Sequence, residues 1–197
     1  MKQLFIDKSF NYINSHQKLT EYQQIKIKYG LEVMYHFITK YTTIIVLSIL
    51  LNLYKELLFI TLFYLPLRLF GHGIHSNSNF MCWMTSIFAM LLLSYFSRYL
   101  IVSNLFIILS VIIGLFSFAL WAPSDTPSRP LINKHKRHTL KARIIITTLL
   151  YITLCFYFSK ISVYIIIAIY IESFNINPFI YFINHVPRKN YVGIERS

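Results

Sequence analysis

Residues 100–121 read LIVSNLFIILSVIIGLFSFALW, twenty-two positions without one charged side chain. A helix needs about 20 mostly apolar residues to cross a hydrocarbon core of ~30 Å, and this stretch meets that requirement unaided. Less perfect runs lie on both sides of it. Upstream, 41–54 reaches spanning length if residues from Met34 onward join it and Lys40 carries its amine toward the head groups. Next come 57–70, interrupted by Pro66 and Arg68, and 80–96. Downstream, 144–158 and 161–183 form a hairpin around Ser159 and Lys160. The 197 residues are 56% hydrophobic and 13% charged, where a water-soluble domain carries roughly 25% charged residues. The pattern predicts an all-α, polytopic integral membrane protein of about six transmembrane helices and excludes an ordinary soluble fold.

The charges set the expected topology. Lys and Arg number 19 against 7 Asp and Glu, a formal net charge of +12. Such an excess in a soluble protein suggests nucleic acid, but no aromatic-and-basic RNA motif accompanies it. In a membrane protein it marks the cytoplasmic side, where the leaflet is anionic. The basic segments are the N-terminal region, the loop after Trp121 and the C-terminal tail; the opposite turns hold the single cations Lys55, Arg98 and Lys160. Both termini are therefore expected in the cytoplasm, together with the polar insert GHGIHSNSN at 71–79. The stretch APSDTPSRPLINKHKRHTLKAR, with three prolines and eight Lys, Arg or His, reads as an exposed, partly extended loop.

Residues 1–30 place Ile6, Phe10 and Ile13 on one helical face among five lysines. This suggests an amphipathic helix lying in the membrane interface, although a soluble helix or a loose tail fits the same residues. The opening MKQLFIDKSFNYINSHQK has no continuous apolar core and no small-residue cleavage site, so no removed signal peptide is expected. No repeat of 20–50 residues is evident. The organisation expected is one transmembrane domain over 1–197, with the amphipathic segment 1–30, a basic cytoplasmic loop at 122–143 and a polar tail at 184–197.

Polar groups gathered at the end of a membrane helix are costly enough to demand a purpose. The densest cluster runs from Arg68 through Gly71, His72, Gly73 and His75 to Asn79 and Cys82. In one continuous helix His75 and Cys82 would share a face but lie about 10 Å apart along the axis, too far for proton transfer. The segment must bend for chemistry, and Gly71 and Gly73 supply the freedom. If Asn79 caps the third span, Cys82 falls in its first turn, where unpaired amides and the helix dipole favour the thiolate. His75, folded back from the loop, would serve as base and then as acid toward the leaving amine, and the same amides would hold an oxyanion.

Other readings fit parts of this cluster. A cysteine at the head of an apolar helix is ordinarily packing. His72, His75 and Cys82 are a weak match to a zinc site, lacking a nearby carboxylate or second cysteine. Polar breaks between spans also mark substrate pathways, so a peptide transporter or exporter without peptidase chemistry is the alternative function. A sensor using His72 and His75 for metal or pH is a third. Cys155, mid-run in LYITLCFYF, reads as packing, and two cysteines cannot build a disulfide framework. HExxH and GxSxG motifs are absent.

The arginine closing the second span (Arg68), the glycine-containing turn (Gly71, Gly73), and a histidine seven positions before a cysteine (His75, Cys82) resemble the AgrB family. These are the accessory gene regulator membrane peptidases of Gram-positive quorum sensing, and the GHGIHS wording looks staphylococcal. Length, basic charge, layout and the loop APSDTPSRPL extend the resemblance over nearly the whole chain. The resemblance implies a cell-membrane cysteine endopeptidase with His75 and Cys82 catalytic and Arg68, Gly71 and Gly73 supporting; Asn79 joins the supporting set as the expected helix cap. Its substrate would be an AgrD-like precursor peptide, cleaved through a thioester on Cys82 that an internal substrate cysteine then takes to close a thiolactone. Lys134, Lys136, Arg137 and Lys141 would attract the acidic part of that precursor. The resemblance further implies a homodimer in the lipid bilayer; the charge layout puts the site near the cytoplasmic face, and no metal or other cofactor is expected.

Overall fold

The computed structural model describes residues 2–16, 20–74, 79–127 and 131–188. Eight helices account for most of them: α1 (Lys2–His16), α2 (Glu21–Leu50), α3 (Tyr54–Gly71), α4 (Asn79–Ser97), α5 (Asn104–Trp121), α6 (Lys134–Tyr157), α7 (Ser159–Ile176) and α8 (Pro178–Ile183). Their ends carry the chemistry that starts helices. Thr20 and Gln23 form a reciprocal capping box at α2, the Thr20 amide donating to Gln23 Oε1 at 3.0 Å and the Gln23 amide to Thr20 Oγ1 at 3.4 Å. Ser103 caps α5 and Asn133 caps α6, each accepting the backbone N–H three residues on.

Among the described residues, four helices are long and apolar enough to cross a membrane: α2, α5, α6 and α7. α3 has the length but carries Lys55, Glu56 and Arg68, and the apolar part of α4 is the shorter stretch Trp83–Ser97. The helices do not contribute equally to the interior. Of the most apolar window of α7, 56% is buried inside the protein, against 11% of that of α2. α7 is therefore the central post, packed by α3, α5 and α6. Its Ile165, Ala168, Ile169 and Ile176 meet Phe63 and Leu67 of α3, Val111 and Phe118 of α5, and Ile144, Tyr151 and Cys155 of α6. At the α5–α7 crossing Gly114 lies against Ile169, where a Cβ would strike the isoleucine Cγ2. The outward faces remain apolar: Ile112, Ile113, Phe116 and Leu120 of α5 are exposed, a surface suited to lipid rather than water. Two of the polar groups inside bond to backbone: the Tyr151 hydroxyl donates to the Phe63 carbonyl at 2.9 Å and that of Ser162 to the Cys155 carbonyl at 3.0 Å.

One end of the bundle is tied by Arg98, whose Nε donates to Glu56 at 2.8 Å and whose Nη2 donates to the Asn52 carbonyl. This joins the α2–α3 turn to the end of α4, and Ser159 and Lys160 line the same depression. Arg98 and Lys160 thus share an end.

Three expectations change. The N-terminal amphipathic face does not stand alone: Ile6 and Phe10 of α1 are buried against Leu31 of α2, and Lys28 sits over the Phe10 ring at 4.5 Å. The last apolar run is not one helix to Ile183. It breaks at Asn177, because Pro178 disfavours helical backbone in the residue before it and itself starts α8. The segment after Trp121 is not simply an exposed loop. Ala122, Ser124, Asp125 and Thr126 are buried, and α6 already begins at Lys134, ten residues ahead of its apolar run.

Candidate active site

The end of α3 is held residue by residue. α3 stops at Gly71, and the chain then passes through two left-handed residues, His72 (φ 63°) and Gly73 (φ 75°). The His72 amide still donates to the Arg68 carbonyl at 3.1 Å. The Gly73 amide donates to the Ser124 carbonyl at 3.1 Å, and the Ser124 amide returns to the Gly71 carbonyl at 2.9 Å, a short parallel pairing with the loop after α5. The Ile74 amide donates to the Asn175 carbonyl of α7 at 3.0 Å, and Arg68 Nη2 donates to the Ile74 carbonyl at 2.8 Å. All three amides of 72–74 and the last carbonyl before residue 75 are thereby fixed.

Beneath this turn lies an ion pair. Arg68 Nη1 is 3.8 Å from Oε2 of Glu172, a carboxylate with no solvent exposure four residues before the end of α7. Both glycines exist for this arrangement. A Cβ on Gly71 would strike Glu172 Oε1 and come within 3.1 Å of Ile144 Cδ1; one on Gly73 would strike Arg68 Nη1 and lie 3.0 Å from the Asn175 carbonyl oxygen. Only Gly73 needs the conformational freedom of glycine. Gly71 is helical and needs to be small, which corrects the expectation that both glycines serve the bend. Asn175 further donates from Nδ2 to the Tyr64 hydroxyl at 3.1 Å.

The loop and tail close around the same place. The Ser124 hydroxyl lies 2.9 Å from the Trp121 carbonyl and 3.2 Å from the Ile176 carbonyl. Arg188 Nη2 donates to the Trp121 carbonyl at 2.8 Å and its Nε to Ser124 Oγ at 3.3 Å. The basic start of α6 is here too: Arg143 stands 5.9 Å from the Phe70 ring. Lys134 and Lys136 are exposed, whereas Arg137 and Lys141 are partly covered.

The structure therefore gathers Arg68, Gly71 and Gly73 into one unit. His75 lies outside the described residues, as do the side chains of Asn79 and Cys82. Asn79 is the first described residue of α4, and Cys82 follows three positions later. Among the described residues no three His, Cys, Asp or Glu side chains gather as a metal site. Glu172, Asn175 and Ser124 were not singled out from the sequence. Glu172 could have been: it is the only charged residue in 161–183, and an ionisable group inside a membrane run marks a functional site by default.

Comparison with known proteins shows the family. The profile described as Accessory gene regulator B matches residues 6–176. A putative AgrB-like protein of Clostridium acetobutylicum is 29% identical over 94% of this chain and 90% of its own length. One from Listeria welshimeri is 32% identical over 87% of this chain and 85% of its own. The accessory gene regulator protein B of Staphylococcus saprophyticus is 24% identical over 79% of this chain and 82% of its own. No solved structure matches. With a family profile covering most of the chain and relatives aligned nearly end to end, this protein belongs to the accessory gene regulator B family.

Proposed function

We propose that this chain is the membrane cysteine endopeptidase of an accessory gene regulator quorum-sensing system, acting on an AgrD-like precursor peptide. The observation that carries the reading is the clamped turn: the backbone is held through Ile74, one residue before His75, and Cys82 lies in the opening of the next helix. Placement of this kind is what acid–base chemistry on a helix-terminal thiol requires.

In this mechanism Cys82 loses its proton to His75, and the thiolate adds to the scissile carbonyl. The first amides of α4, which have no intrahelical partner, take the negative oxygen. Collapse breaks the C–N bond, the leaving amine takes the proton from His75, and the N-terminal part of the precursor remains as a thioester on Cys82. An internal cysteine of the substrate then attacks, passes its proton to His75, and leaves as a ring-closed thiolactone with Cys82 restored. A tethered thiol outcompetes water because its effective concentration is high and the boundary site is dry.

The cytoplasmic side is proposed for the site, for both termini and for the basic start of α6, which would attract the acidic end of the precursor. α3 and α4 would complete six spans, their polar residues facing protein rather than lipid. Co-expression with the precursor tests the reading. His75→Ala and Cys82→Ser should each abolish release of the C-terminal fragment, while Cys155→Ala should not. Cleavage by Cys82→Ser overturns it, and peptide export that survives both substitutions favours the transporter.

A further inference from the structure

Glu172 is a carboxylate fully enclosed on the most buried helix of the protein, 90 residues from Cys82 in sequence. Burying a charge is expensive, and its attraction to a partner often only balances the cost. A simple fastener between α3 and α7 needs no such pair, since Leu67, Phe63, Ile165 and Ile169 already supply apolar contact. The details indicate a narrower purpose. Arg68 divides its guanidinium between two jobs, Nη1 toward Glu172 and Nη2 on the Ile74 carbonyl. Gly71 leaves room for the carboxylate, and Gly73 leaves room for the guanidinium. Asn175, less than one helical turn after Glu172, fixes the other side of Ile74 by accepting its amide.

We infer that Glu172 is a positioning residue for the peptidase reaction: it anchors Arg68, which with Asn175 fixes the peptide of Ile74 and so aims His75 at Cys82. This inference rests on the peptidase reading and assigns no chemistry to Glu172 itself. The carboxylate sets the direction of the guanidinium. A planar, bidentate group so oriented transmits that direction to a backbone carbonyl better than a flexible ammonium would. α7 is the natural place for the anchor because it is the element most enclosed by others.

The test uses the full-length protein in a Cys155→Ala background, so that Cys82 is the sole thiol, and compares Glu172→Gln, Glu172→Asp and the doubly apolar Arg68→Met/Glu172→Met. Replacing both members of a buried pair by apolar residues of similar volume is commonly neutral for folding, so the double variant separates folding from positioning. Two quantities are read: kcat and KM for release of the precursor's C-terminal fragment, and the pH profile of iodoacetamide alkylation of Cys82. The expected result is a fall in kcat of about a hundredfold in Glu172→Gln and in the double variant, with KM within about twofold. Glu172→Asp should recover part of the rate. The alkylation profile of the double variant should move up to that of an ordinary thiol, with midpoint near pH ~8.5, because His75 no longer meets the sulfur.

The inference is overturned if the double variant keeps the parent kcat and alkylation profile, or if kcat in all three variants falls only in proportion to the loss of folded protein. Failure of the underlying reading is visible separately, as fragment release by Cys82→Ser without any change at Glu172.

Discussion

Gly73→Ala is the sharpest perturbation of the turn. Glycine occupies φ 75° without penalty, whereas an alanine in left-handed backbone loses about 1–2 kcal/mol. Its Cβ would strike Arg68 Nη1 and stand 3.0 Å from the Asn175 carbonyl oxygen. The guanidinium end can swing aside, but only away from Glu172 and the Ile74 carbonyl. The Asn175 carbonyl belongs to α7 and cannot yield, so the Ile74 amide must retreat from it, weakening a bond worth about 1 kcal/mol net. The combined cost is about 2–3 kcal/mol. For a chain of this size that lowers the unfolding midpoint by roughly 4–12 °C. The displaced turn should also reduce processing about a hundredfold, the usual penalty for an ångström of misplacement. Thermal unfolding in detergent and precursor processing in liposomes measure the two effects. Gly30→Ala is the control: its Cβ meets nothing within 4 Å on helical backbone, so it should be neutral or gain up to about 1 kcal/mol. If Gly73→Ala matches Gly30→Ala in both assays, the reasoning about the turn is refuted.

Gly114→Ala should destabilise by about 1–3 kcal/mol through overpacking against Ile169, read as a lowered unfolding midpoint with KM for the precursor unchanged. Replacing Lys134 and Lys136 together by glutamine should raise KM and flatten its dependence on ionic strength, since exposed charges act over a screening length of about 8 Å at physiological salt; kcat should stay as it was. An unchanged salt dependence would assign those lysines to topology alone. Arg98→Ala, at the end of the bundle away from the turn, should leave the processing rate within about twofold, because screening removes its influence at that distance.

Long apolar runs made the helices readable, and Thr20, Ser103 and Asn133 start them as their side chains require. Boundaries suffered where two signals competed. The apolar run through Ile183 concealed Pro178, and the polar character of 134–143 concealed a helix whose first turns are solvated. Arg68, Gly71 and Gly73 were legible as a unit because an arginine and two glycines are out of place at the end of an apolar helix. Their physical purpose was not, since it depends on Glu172, Asn175 and Ser124, which lie 99, 102 and 51 positions from Gly73 and meet the unit only through tertiary packing. The burial of Ser124 illustrates the general difficulty. Proline, serine, aspartate and threonine announce a loop, but whether a loop is covered is decided by the backbone that pairs with it, here that of Gly71 and Gly73.

As the proposed nucleophile, Cys82 would carry the precursor as a thioester. Incubating the protein with a precursor whose internal cysteine is replaced by alanine blocks ring closure and leaves only slow hydrolysis. Intact-mass and peptide-level mass spectrometry should then find the N-terminal precursor fragment attached to Cys82, removable by hydroxylamine and absent from Cys82→Ser. Release of the C-terminal fragment with no adduct on Cys82, or an adduct on Cys155 instead, would contradict the account.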